Sequence, residues 1–180
     1  TVMKPQSDLL DLSRPYPYLT ADDWGISPEV NAGILDLAER GSICRVSAMP
    51  NELYFEHDLS RLLNIKDLKL GLHFNLTHGF PLRSPEALMR KWIFSGRATK
   101  RALIAWSRET LLSQLEGFSK RGLSPAYFDS HHHIHLIPGL FENIADILSA
   151  RGISEIRIPA DSRLLLTPKF PVHLLAVRLR

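Results

Sequence analysis

Three short apolar segments of this chain each close in a polar cluster: Asp22-Asp23, His73, and the run Asp129-Ser-His-His-His-Ile-His135. That recurrence limits the available folds, because reactive side chains gathered at the ends of several strands suit an α/β barrel. The rest of the chain fits the same scheme. Strand-like and helix-like patterns alternate: strand near 16–21, helix 28–40, strand 42–49, helix 55–64, strand 67–77, helical segments 87–95 and 99–121, strand 126–132, helix 139–151 and strand 154–159. Such alternation predicts parallel strands joined by helical crossovers. The expected class is α/β, a TIM-barrel-like arrangement of parallel strands. Five strands are too few to close it, so the barrel is expected to be incomplete.

Strand geometry then sorts the side chains, since residues two apart share a face. Asp129, His131, His133 and His135 are expected on one face, with Ser130, His132 and Ile134 on the other. In Leu68 to Thr77 the alternation sets His73, Asn75 and Thr77 against Leu72, Phe74 and Leu76. Asp22 and Asp23 end a further strand, and Gly25 and Pro28 then signal a turn into a helix. Leu111, Leu112, Leu115 and Phe118 recur at helical spacing and predict a core stripe.

Two imidazoles and one carboxylate leave open positions on a divalent ion, which is what a catalytic rather than a structural site requires. Such an ion lowers the pKa of a bound water and polarises a carbonyl, while a carboxylate that is not a ligand takes the proton. Asp22 and Asp23 suit a division of those two tasks, because adjacent side chains on an extended backbone face opposite ways. Taken singly, each cluster has a plainer reading: an Asp-Asp before Gly as a turn or helix cap, His73 as a hydrogen-bonded core histidine, the histidine run as an adventitious metal binder. Their joint occurrence favours the site. Asn75-Leu-Thr77 is formally a glycosylation acceptor, but it sits inside a strand pattern and is set aside.

The ordered blocks Thr20-Ala-Asp-Asp-Trp-Gly-Ile-Ser27 with Asn31 and Gly33, Gly71-Leu-His-Phe-Asn-Leu-Thr77 with Gly79 and Pro81, and Phe128-Asp-Ser-His-His-His-Ile-His135 with Pro138 resemble the YdjC-like carbohydrate deacetylases, which include chitooligosaccharide deacetylases of the ChbG type. The resemblance implies that Asp23, His73 and His131 hold the metal and that Asp22 is the general base. It alone selects His131, because periodicity leaves His133 and His135 equivalent. It further implies hydrolysis of the acetamide of an N-acetylated amino sugar or oligosaccharide, with Zn or Mg as the ion. The departures are Trp24, where phenylalanine is usual, and length: a closed eight-stranded barrel takes ~250 residues, whereas this chain has 180. The stretch Phe170 to Arg180 reads as an apolar helix start without a cap, so one domain, 1–180, short at its C-terminal end, is expected. No counterpart of the family's later histidine motif follows Arg157, and His173 is a poor substitute. Two sources of the general acid then stand open: His133 or His135, or a group in the C-terminal region that this chain lacks. Competing readings are a non-catalytic metal- or sugar-binding remnant and a metal-dependent phosphoesterase, although the latter calls for more carboxylates than the clusters offer.

Composition narrows the setting. The chain is 44% hydrophobic and 23% charged, as in a soluble globular domain, and has no apolar run near the ~20 residues of a membrane span. A net charge of +3 is small for a nucleic-acid binder, which carries a concentrated basic stripe. The basic-aromatic stretch of Arg90, Lys91, Arg97, Lys100 and Arg101 with Trp92, Phe94 and Trp106 reads as a helix face plus core aromatics in preference to a sugar groove. Cys44 is the sole cysteine; it excludes an internal disulfide and, with no apolar leader in Thr1 to Pro15, points to the cytoplasm. The apolar edges of a partial barrel favour self-association into a homo-oligomer.

Overall fold

The computed structural model describes residues 19–80, 84–137 and 139–158. Tyr16 to Tyr18, Pro81, Pro138, His173 and the stretch Phe170 to Arg180 lie outside them. Four strands, β1 (Thr20–Trp24), β2 (Arg45–Ala48), β3 (Lys69–Phe74) and β4 (Phe128–Ser130), form one parallel sheet in the order β1-β2-β3-β4. Each connection contains helix: α1 (Pro28–Glu39), α2 (Leu59–Leu63), and then α3 (Pro85–Phe94) with α4 (Arg97–Ser119). The protein is therefore α/β with parallel strands, and among the described residues the sheet is open, as anticipated. The strand expected at 154–159 is reduced, within the described residues, to a single parallel bridge from Ile156 to Phe128. The helix expected at 139–151 is split into a 3-10 turn, Phe141–Asn143, and α5 (Ala145–Ala150).

Register gives the sheet two unlike faces. Ser47 pairs with Gly71 and His73 with Asp129, while Ala48 pairs with Leu72 and Leu72 with Phe128. In a parallel sheet paired residues share a face. One face is thus Val46, Ala48, Leu72, Phe74 and Phe128, all buried in the apolar core with Ile34, Leu35, Leu111, Leu115 and Phe118 of the helices. The other carries Arg45, Ser47, His73, Tyr127 and Asp129, also buried, and it holds the polar clusters. Leu112 departs from the expected stripe, being 42% exposed.

Local chemistry sets the element ends. Ser27 caps α1, its Oγ accepting from the Val30 N–H at 3.2 Å, and Pro28 opens the helix. Asn31 ties that helix to the turn before it, accepting from the Gly25 N–H at 2.8 Å and donating to the carbonyls of Tyr54 and His57 at 2.8 and 3.1 Å. Gly25 has φ of 104° and a Cβ there would lie 3.0 Å from the Met49 carbonyl, so glycine is required. Trp24 is fully buried and its indole N–H donates to the Phe55 carbonyl at 2.9 Å, a bond phenylalanine has no means of making.

Candidate metal centre

Strand β1 is bulged between Ala21 and Trp24, and Asp23 has φ of 70°. A bulge adds a residue to one strand and re-aims its side chains. The expectation that adjacent Asp22 and Asp23 face opposite ways assumed an extended backbone; the bulge removes that condition. Trp24 returns to the apolar face, and both carboxylates reach the polar one. Asp23 Oδ1 lies 3.1 Å from His73 Nε2 and accepts a hydrogen bond from His131 Nδ1 at 2.8 Å.

His73 is held from its other side. Its Nδ1–H donates to Asp129 Oδ1 at 2.6 Å. Asp129 is fully buried, and its second oxygen accepts from Ser47 Oγ at 2.7 Å and pairs with Arg157 Nε at 2.7 Å. Tyr127 extends the chain, its hydroxyl 2.9 Å from Ser47 Oγ. Carboxylate, imidazole and ligand edge in line are the usual way of orienting a metal-binding histidine. Electrostatics follow from the same contacts. Burial alone would lower the His73 pKa, but hydrogen bonds to Asp129 and Asp23 outweigh it and raise it to about 9. Burial would push Asp23 and Asp129 up, yet the imidazoles bonded to them hold both below the usual carboxylate range.

Asp22 faces the same region from beside the bulge. Both its oxygens accept from Arg157 Nη2 at 2.7 Å, so one guanidinium bridges Asp22 and Asp129. Among the described residues two groups bring three ligand atoms within 4.8 Å of one another: Asp23, His73 and His131, and Asp22, His73 and Asp129.

The histidine run departs from its expected alternation. β4 stops at Ser130, and a 3-10 segment follows from His131 in which His132 and His133 adopt φ of 56° and 53°. With left-handed residues in place of a strand, the single face of Asp129, His131, His133 and His135 does not form beyond His131. His135 turns back, its Nδ1 2.5 Å from Ser130 Oγ, and is 2% exposed; burial lowers its pKa to about 4. His132 Nδ1 meets Thr77 Oγ1 at 3.0 Å. A groove of about 330 Å³ opens here, lined by Thr77, His78, Gly79, His131 and His132.

β3 likewise ends sooner than expected, because Asn75 Oδ1 accepts from the N–H groups of Thr77 and His78 at 2.9 Å each and folds the chain into a turn. Asn75 is fully buried, in keeping with setting its glycosylation pattern aside. Trp92 and Trp106 pack against the core while Phe94 is 82% exposed, so the helix-face reading of that stretch holds for the two tryptophans. Sequence reasoning missed Ser47, Tyr127 and above all Arg157, whose only signal was its place among the alternating residues of Ile153-Ser-Glu-Ile-Arg-Ile158.

The sequence matches the profile of the YdjC-like protein family over residues 18–176. The chain belongs to the YdjC-like proteins. Curated YdjC-like relatives include a chitooligosaccharide deacetylase of Enterobacter sp., 31% identical over 76% of this chain and 56% of that protein, and a carbohydrate deacetylase of Geobacillus stearothermophilus, 36% identical over 70% and 53%. The chain spans little more than half the length of these relatives. A solved structure from Enterococcus faecalis, of a protein with a suggested role in cellobiose-phosphate cleavage, superposes with a TM-score of 0.62 at 23% identity, over 81% of this chain and 60% of that one, which establishes the likeness of fold. Among the described residues of this YdjC-like chain no helix is long and apolar enough to cross a membrane.

Proposed function

We propose that this YdjC-like chain carries out metal-dependent hydrolysis of the acetamide of an N-acetylated amino sugar or oligosaccharide. The observation that carries the reading is Asp23 Oδ1 shared by His73 and His131, with His73 locked by Asp129 and Asp22 tethered alongside. The donor set fits a divalent ion. One carboxylate and two imidazoles, one already oriented from behind, match a catalytic site with open positions, and two imidazoles favour zinc or a later transition metal over magnesium. The other grouping fits poorly, because the Arg157 guanidinium already occupies the oxygens of Asp22 and Asp129. Asp23, His73 and His131 are therefore assigned as ligands. An ion bound there supplies an acidified water and stabilisation of the oxyanion. Asp22 takes the proton of the attacking water, and Arg157 holds its carboxylate in place. The substrate class follows from the relatives named chitooligosaccharide and carbohydrate deacetylases.

The test is acetate release from N-acetylated chitooligosaccharides, with metal content measured on the same protein and Asp22→Asn as control. Acetate from the wild type, lost on chelation and in Asp22→Asn while that variant keeps its metal, is the expected result. Release unaffected by chelation or by Asp22→Asn would sink the mechanism, and phosphate release from sugar phosphates without acetate would favour the phosphoesterase.

A further inference from the structure

An amide does not cleave without a proton for its nitrogen, because an amine anion is too basic to leave. The two histidines expected from the sequence to serve are badly placed: His135 is buried on Ser130, and neither it nor His133 lines the groove. Resting on the deacetylase reading above, we propose that His78 is the catalytic proton donor to the departing amine and that Glu52 is its positioning residue.

His78 lines the groove with the ligand His131, and its ring stands edge-on to that of His131 with centroids 6.3 Å apart. Its Nδ1–H donates to Glu52 Oε2 at 2.9 Å, which leaves Nε2 as the edge available to a substrate. Exposure is divided accordingly: 10% for the Glu52 side chain, 45% for His78. The carboxylate is anchored and the imidazole reaches solvent.

Asn75 fixes both members of the pair. Its amide donates to Glu52 Oε1 at 2.9 Å and to the His78 carbonyl at 3.0 Å, while its oxygen accepts from the His78 N–H at 2.9 Å. Asn51 adds a second donor to Glu52 Oε1 at 3.0 Å. A general acid has to be oriented toward the atom it protonates, and a carboxylate behind an imidazole provides that. The other free-standing groove histidine, His132, has Thr77 Oγ1 as its Nδ1 partner where His78 has a carboxylate. In the step, the acetyl carbon–nitrogen bond breaks with its electron pair going to nitrogen, and the Nε2 proton of the His78 imidazolium completes the amine. The Nδ1 proton stays on the His78 ring in its hydrogen bond to Glu52 Oε2, and Nε2 regains its proton from solvent along the exposed edge of the ring.

The experiment compares kcat/KM for an N-acetylated chitooligosaccharide with that for p-nitrophenyl acetate, whose nitrophenolate leaves without a proton, in wild type, His78→Gln, Glu52→Gln and His132→Gln. We expect His78→Gln to lower amide turnover on the order of 10²–10⁴-fold and ester turnover less than about tenfold, Glu52→Gln to show the same selectivity more weakly, and His132→Gln none. Equal losses on both substrates in His78→Gln would mean a structural role and overturn the assignment. So would amide turnover that survives His78→Gln, or an amide-selective loss confined to His132→Gln. Wild type that cleaves neither substrate removes the deacetylase reading and this assignment together, whereas wild type and His78→Gln cleaving both equally well removes the assignment alone.

Discussion

Asp129 touches none of the reacting atoms in the proposed chemistry, yet it decides how His73 is presented. Asp129→Ala should lower metal affinity by about 10–100-fold, as loss of an outer-shell carboxylate typically does; a competition titration against a chelating dye reads this directly. His73 sets a pH dependence of definite sign. Its pKa in the metal-free protein is raised to about 9, so below that pH an ion has to displace a proton held between Asp23 and Asp129. Affinity should therefore climb with pH toward about 9, with proton release on binding, seen by calorimetry in buffers of different ionisation enthalpy. By the same linkage, the stability that charged His73 contributes to the metal-free protein is fully present below its unfolded pKa and is lost as pH rises through about 9. At this scale much of the site was legible in the sequence. Asp22, Asp23 and His73 could be named because acid and imidazole closing an apolar segment is a local pattern; only the family resemblance separates His131 from His133 and His135, and the structure brings Asp23, His73 and His131 together. Arg157 could not, because its meaning lies in two carboxylates 135 and 28 residues upstream, and an arginine alternating with isoleucines and Glu155 does not announce that.

Among elements, α4 separates packing from periodicity. Leu111 and Leu115 are buried and Leu112 is 42% exposed, although all three fit a helical apolar pattern; a helix face wider than the sheet it covers leaves its margin in water. Leu115→Ala should cost about 2–5 kcal/mol and Leu112→Ala within about 0.5 kcal/mol in urea unfolding. Gly71 on β3 carries a different constraint. A Cβ there would come 2.4 Å from the Tyr127 ring, so Gly71→Ala should destabilise by about 1–3 kcal/mol and, by displacing Tyr127, loosen Ser47 on Asp129; unfolding and metal titration on the same variant test both effects. The elements themselves were largely legible, since α1 and the strand-helix alternation follow from spacing and caps. The ends of β3 and β4 were not. Asn75 closes one strand with its own side chain, and left-handed His132 and His133 close the other, both being choices of backbone conformation that alternation of residue types does not encode.

For the molecule as a whole, the sheet is the frame and the ion its proposed keystone, since the three assigned ligands come from β1, β3 and the residue following β4. Anything that binds only the folded state stabilises it by mass action, about 2.7 kcal/mol at a hundredfold excess over Kd. Zinc should accordingly raise the melting temperature by several degrees in wild type, and a Asp23→Ala variant should melt at the same temperature with or without it. The parallel α/β architecture was legible because alternation is a property of the whole string; the open sheet, with Ile156 attached by one bridge, reflects pairing that no single segment specifies. That last segment has a consequence for how the protein comes into being. All three assigned ligands precede residue 132, but the guanidinium that steadies Asp22 arrives only when the strand-like piece bearing Ile156 and Arg157 docks beside Phe128. A nascent chain would thus acquire the means to hold its ion before the arginine that steadies its proposed base is in place, so that holding the ion and using it would be gained in separate steps.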